Sequence, residues 1–315
     1  MEAARVPLPV EIVNLLTPDH IHSALDRTEH WLLSKVTGEV GDRLWKAALR
    51  RFAPMLNSED YAALKIRIER LEAFTAGFEQ ERVSANTVNS DVETENASEP
   101  AFDDFLGRAV ESAGATPSEG KQLLLGRLAG KRAGTATESF LDLQLRAALD
   151  ITDRATLPQL YAVGALLLVA RTPLPPPPAD VRAILADLDR SYAEALAAML
   201  EAPWTVSDLQ YLTSIGAMRF SSTNEMMEGI TSRFGRLVAP GGRYQPVPMN
   251  PVTAHNSVFW SLLEQYDTKM TGAQTNHRSF VSYDLTPTGM VLGVAIVESL
   301  CGVSIGLPPE WKSAR

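Results

Sequence analysis

Cysteine occurs once in this 315-residue chain, at Cys301. That excludes an intrachain disulfide framework and any zinc site built from several thiolates, and a reducing, cytoplasmic setting is the expectation. Histidine is scarce as well. His20, His22, His30, His255 and His277 are all there are, and no two stand four apart on one helical face, the spacing of a helical metal site. No metal and no cofactor is expected. Long apolar runs are missing too. Residues 160–170 are too few to span a bilayer, and residues 290–307 are broken by Glu298 and several glycines, so both read as buried helices and no integral membrane segment is expected. The first nine residues lack a basic stretch followed by an apolar one, so no secretory signal is expected.

Positive charge is also in short supply. Lys and Arg number 29 against 38 Asp and Glu, a formal net charge of −9. Affinity for nucleic acid rests largely on neutralising phosphates, so this balance disfavours a general polyanion binder. Catalytic signatures fail one by one. Gly114-Ala-Thr-Pro-Ser-Glu-Gly-Lys-Gln122 resembles a phosphate-binding loop, but its first glycine is one position too far away. Gln122 also replaces the hydroxyl that would bind Mg²⁺, and the preceding segment reads as helix. No Gly-x-Ser-x-Gly elbow occurs, and Cys301 sits in an apolar context that suppresses its thiolate. No catalytic residue is assigned. An enzymatic reading is confined to the irregular insertion at 240–256, where Arg243, Tyr244, His255 and Asn256 stand near one another in sequence.

What is present is the composition of a globular protein, 45% hydrophobic and 21% charged. The fold class expected is mainly α: a helical hairpin or short coiled coil, a helical bundle, and a C-terminal winged-helix-like α+β region. In residues 1–83, Tyr61, Leu64, Ile68, Leu71 and Phe78 form a heptad seam with Thr75 in its gap. The seam implies either a hairpin with residues 21–52 or self-association, and a protein partner or self-association is the partner expected. Just upstream, Arg43, Lys46, Arg50 and Arg51 alternate with Leu44, Trp45, Leu49 and Phe52. This is a candidate basic contact patch of the kind found against anionic membranes or nucleic acid, unless Glu59, Asp60, Glu69 and Glu72 neutralise it across a hairpin.

Residues 84–99 turn polar and acidic and read as a flexible linker. In residues 100–200, helices are expected at 102–113, 119–130, 137–151 and 157–170, separated by turns containing Gly or Pro, as in an antiparallel bundle. Thr172-Pro-Leu-Pro-Pro-Pro-Pro178 predicts an extended spacer before a further helix at 179–199. In residues 201–315, Thr205 or Ser207 can cap a helix containing Leu209, Leu212 and Ile215, and helices are expected at 224–235 and 256–270. A polar tip at 272–279 then leads to the strand-like Phe280-Val-Ser-Tyr-Asp-Leu285. Thr286 and Pro287 supply a helix start. This order describes a winged helix whose candidate recognition helix has one basic residue, Lys269; Asn276, His277 and Arg278 form its wing tip.

Leu123-Leu-Leu-Gly-Arg-Leu-Ala-Gly-Lys-Arg132, Ser139-Phe-Leu-Asp-Leu-Gln-Leu-Arg-Ala-Ala-Leu149 and Leu157-Pro-Gln-Leu-Tyr161 resemble a helical module of uncharacterised bacterial proteins. With Leu285-Thr-Pro-Thr-Gly289 the resemblance spans roughly the last two thirds of the chain. Some proteins of this kind belong to phage-defence or abortive-infection loci. The resemblance implies no catalytic residues. Three functions are therefore in play: a non-enzymatic scaffold or sensor, possible roles in antiviral defence included; a winged-helix transcriptional regulator; and an enzyme with its site at 240–256.

Overall fold

The structure is a computed structural model that describes residues 43–48, 50–51, 61–84, 99–171, 190–221, 265, 269, 282–301, 307 and 311. The expected spacer at 172–178, the insertion at 240–256 and the wing tip Asn276, His277 and Arg278 lie outside these residues. So does nearly all of the linker. The chain is mainly helical, with a two-stranded antiparallel sheet near its C-terminal end. Among the described residues no helix is long and apolar enough to cross a membrane.

Two compact units are formed, one by Met1–Asp153 with Pro308–Arg315 and the other by Arg154–Leu307. The division falls inside the 100–200 stretch that the helix pattern reads as a single bundle.

The first unit holds α1 (Tyr61–Ser84), α2 (Pro100–Ala115), α3 (Glu119–Ala133) and most of α4 (Phe140–Arg154). Its core joins Leu44, Trp45 and Ala48 to Leu71, Phe74 and Phe78 of α1, Phe102, Phe105 and Leu106 of α2, Leu125 and Ala129 of α3, and Leu149 of α4. The buried stripe of α1 is wider than a heptad seam, because Phe74 and Gly77 are buried as well as Leu71, Thr75 and Phe78. A wide stripe is what a helix in a globular core needs, whereas a coiled coil uses a narrower one. Arg70 of α1 donates to the carbonyls of Gly114 and Ala115 at 2.9 and 3.0 Å, satisfying the C-terminal end of α2.

The four helices expected at 102–170 are all found, with ends shifted by a few residues. At α4 both ends move by three residues, and the helix begins at Phe140 rather than Thr137. Ser139 accepts from the Asp142 N–H at 3.1 Å and so caps the helix, while Glu138 before it adopts a left-handed φ of 57°. Gly114–Gln122 is a turn between helices: Ser118 caps α3 by accepting from the Lys121 N–H, and the Gln122 amide donates to the Thr116 carbonyl at 2.9 Å.

The second unit contains α5 (Leu157–Arg171), α6 (Arg190–Glu201), α7 (Val206–Ser214), β1 (Met218–Ser221), β2 (Ser282–Leu285) and α8 (Pro287–Cys301). Gly164 of α5 sits where three helices meet, since a β-carbon there would lie 2.8 Å from the Met199 sulfur of α6 and 2.9 Å from Ile296 of α8. In the sheet Met218 pairs with Leu285 and Phe220 with Tyr283. Met218, Tyr283 and Leu285 are buried, so this face points into the unit. The expected start of α8 is found: Thr286 accepts from the Gly289 N–H at 3.0 Å and Pro287 is the first helical residue. Of the expected helix at 256–270, Gln265 and Lys269 are described, and both are helical.

Candidate functional site

The strongest concentration of polar groups among the described residues lies where α3 turns into α4. The Arg132 side chain is fully buried, and its guanidinium forms an ion pair with Asp142, also fully buried. Asp142 in turn holds Arg146 at 2.9 Å, one helical turn later, and accepts the Glu138 N–H at 3.0 Å. Glu99 lies 3.6 Å from Arg132 and also accepts from the Thr137 hydroxyl, while Arg132 donates to the Thr135 carbonyl at 3.1 Å. The guanidinium stands 5.9 Å from the Phe102 ring centre. Burial lowers the Arg132 pKa and Asp142 opposes the shift. Glu99 sits at the N-cap of α2, but its side chain makes no capping bond and reaches across to Thr137 and Arg132 instead. The cluster fastens the start of α2 to the turn between α3 and α4. Its donors and acceptors face one another, which is the arrangement of a structural lock rather than of groups awaiting a substrate.

A second cluster lies at the crossing of α1 and α3. Glu81 receives Lys131 at 2.6 Å and Arg127 at 3.7 Å, and Arg127 also donates to Gln80 at 3.0 Å. All three charged side chains are largely buried.

The described side chains of the expected interaction seam pack within the chain. Leu71 and Phe78 are buried in the first unit's core and Ile68 packs beside them. Tyr61 and Leu64 are helical, with side chains outside the described residues. Sequence reasoning missed Phe74, although it stands three residues after Leu71 and four before Phe78.

The basic patch finds acidic partners on α2. Arg43 and Arg50 pair with Asp103 at 3.1 and 3.8 Å, and Arg51 pairs with Asp104 at 3.6 Å and Glu111 at 3.3 Å. These carboxylates were not among the partners read from the sequence, of which Glu59 and Asp60 lie outside the described residues. Leu44, Trp45, Ala47 and Ala48 insert into the core, which lays the cationic face along α2. Lys46 is half-buried and lies on the same helical segment.

In the second unit, Lys269 donates to the Ala202 carbonyl and stands 4.6 Å from the Trp204 ring centre. Burial lowers its pKa. The one cation of the expected recognition helix is thus taken up by its own unit. On the sheet, Arg219 meets Asp284 at 2.6 Å.

Among the described residues few large apolar side chains are exposed. Leu143 is 55% and Phe140 38% exposed, one turn apart on α4, and Phe140 meets Trp311 edge-on with ring centres 5.2 Å apart. Phe220 is 58% exposed at the rim of the sheet, against Tyr283. Among the described residues no group of three or more His, Cys, Asp or Glu side chains is placed to hold a metal ion.

A protein-family model described only as "-like" matches residues 46–245, more than half of the chain. The chain belongs to that uncharacterised family. The match takes in Lys46, Arg50 and Arg51 of the basic segment, α1 and the whole of α2 to α7, and so starts earlier and stops sooner than the resemblance read from the sequence. No curated protein and no solved structure matches the chain.

Proposed function

We propose that this chain is a non-enzymatic helical interaction protein, a scaffold or sensor that engages a protein partner in bacterial antiviral defence. The observation that carries the reading is the outer face of α4, where Phe140 and Leu143 stay exposed beside a turn that a buried ion cluster holds rigid. Exposed apolar side chains on a rigid element are what a protein partner recognises. The charged groups suited to chemistry, Arg132, Asp142, Glu81 and Lys131, are engaged with one another. The defence setting rests on the resemblance carried by residues 123–132, 139–149 and 157–161.

The test is capture with the tagged full-length chain from its own host during phage challenge, beside a Leu143→Asp variant of unchanged melting temperature. A protein identified with the wild type and lost with the variant is the result expected. Equal capture by both, or a small molecule or metal co-purifying in stoichiometric amount, overturns the reading.

A winged-helix regulator is the second reading, favoured by the β1–β2 pairing and the capped start of α8. Against it stands the engagement of Lys269 by Ala202 and Trp204, since a DNA reader needs its cations free for phosphates. Salt-dependent binding of duplex DNA by the purified chain would decide in its favour.

A further inference from the structure

We draw no further inference here: the strongest candidate, the apolar patch that Phe140, Leu143 and Trp311 form on the outer face of α4, belongs to the surface already described, and nothing in the structure shows what covers it.

Discussion

A β-carbon on Gly126 would fall 1.9 Å from the carbonyl oxygen of Phe74, so α3 and α1 touch backbone to backbone. The contact is reciprocal. A β-carbon on Gly77 would lie 2.1 Å from the Leu123 carbonyl oxygen, and one on Gly130 would lie 2.9 Å from that of Phe78. Three glycines on two helices therefore set the depth of the crossing, and the ion pairs of Glu81 flank it. Gly126→Ala must push the two backbones apart. A loss of about 3 kcal/mol is expected, the upper part of the range for overpacked cores. Gly134→Ala is the control, because the nearest atom to its β-carbon is 4.0 Å away and its φ of −90° suits any residue. Urea denaturation of both variants checks the contrast, and equal midpoints would show that the crossing is not close.

The helices beyond residue 100 were legible because their signals are local. Gly and Pro punctuate them, and Thr286 with Pro287 marks a start that no distant contact alters. What was not legible depends on tertiary choice. Arg43, Arg50 and Arg51 were visibly a cationic face, but selecting Asp103, Asp104 and Glu111 as partners requires knowing that α2 lies alongside. Thr137 looked like a helix start; in the fold its hydroxyl is committed to Glu99, and Ser139 caps instead. Lys269 could be counted from the sequence, whereas its direction toward Trp204 could not. The heptad reading of α1 found Leu71 and Phe78 and overlooked Phe74, because a two-position seam is narrower than the stripe a core helix buries.

Breaking the Arg132–Asp142 pair from one side should be costly. Asp142→Leu leaves a buried guanidinium with the half-buried Glu99 as its remaining carboxylate partner, and removing one partner of a buried pair costs about 3–5 kcal/mol. Adding Arg132→Met should recover part of that loss. Recovery stays incomplete because Asp142 also holds Arg146 and the Glu138 N–H. A chemical-denaturation cycle over the single and double variants measures the coupling. Additive losses would mean that the two charges do not depend on each other.

Glu138 should tolerate glycine unusually well. Its φ of 57° is left-handed, a conformation that disfavours residues carrying a β-carbon. Its side chain is exposed, while the backbone N–H is what binds Asp142. Glu138→Gly keeps that bond and removes the local strain, so thermal unfolding should show unchanged or raised stability, by up to about 1 kcal/mol. A clear loss would assign the Glu138 carboxylate a role of its own.

Acid should weaken the second unit through Asp208. Burial pushes the Asp208 pKa up, but bonds from the Gln159 amide and from the N–H and hydroxyl of Thr205 outweigh it, and the net shift is downward. The carboxylate is therefore favoured in the folded state. Its stabilisation is fully present above the unfolded aspartate value of about 3.9 and is lost as pH falls through the lower folded value. Asp208→Ala should cost about 1 kcal/mol at neutral pH, the usual worth of a capping interaction. That gap between variant and wild type should close in strong acid. A gap independent of pH would mean that the side chain acts by packing alone.

The last prediction concerns the acidic segment between α1 and α2. The sequence reading expects residues 84–99 to be the protease-sensitive interior site, leaving a stable fragment from Phe102 onward, because few apolar side chains offset roughly 1–2 kcal/mol per residue of backbone ordering. The crossing of α1 with α3 changes the second half of that expectation. Leu71, Phe74 and Phe78 share a core with Phe102, Leu125 and Ala129, so a severed N-terminal piece has every reason to stay bound. With a specific protease site replacing residues 88–93, the two pieces should co-elute after complete cleavage. In a Leu71→Glu background, which places a charge in that core, cleavage should release the N-terminal piece and leave the remainder prone to aggregate. Separation of the wild-type pieces, with the C-terminal one keeping its melting temperature, would show that α1 contributes nothing to the unit it packs against.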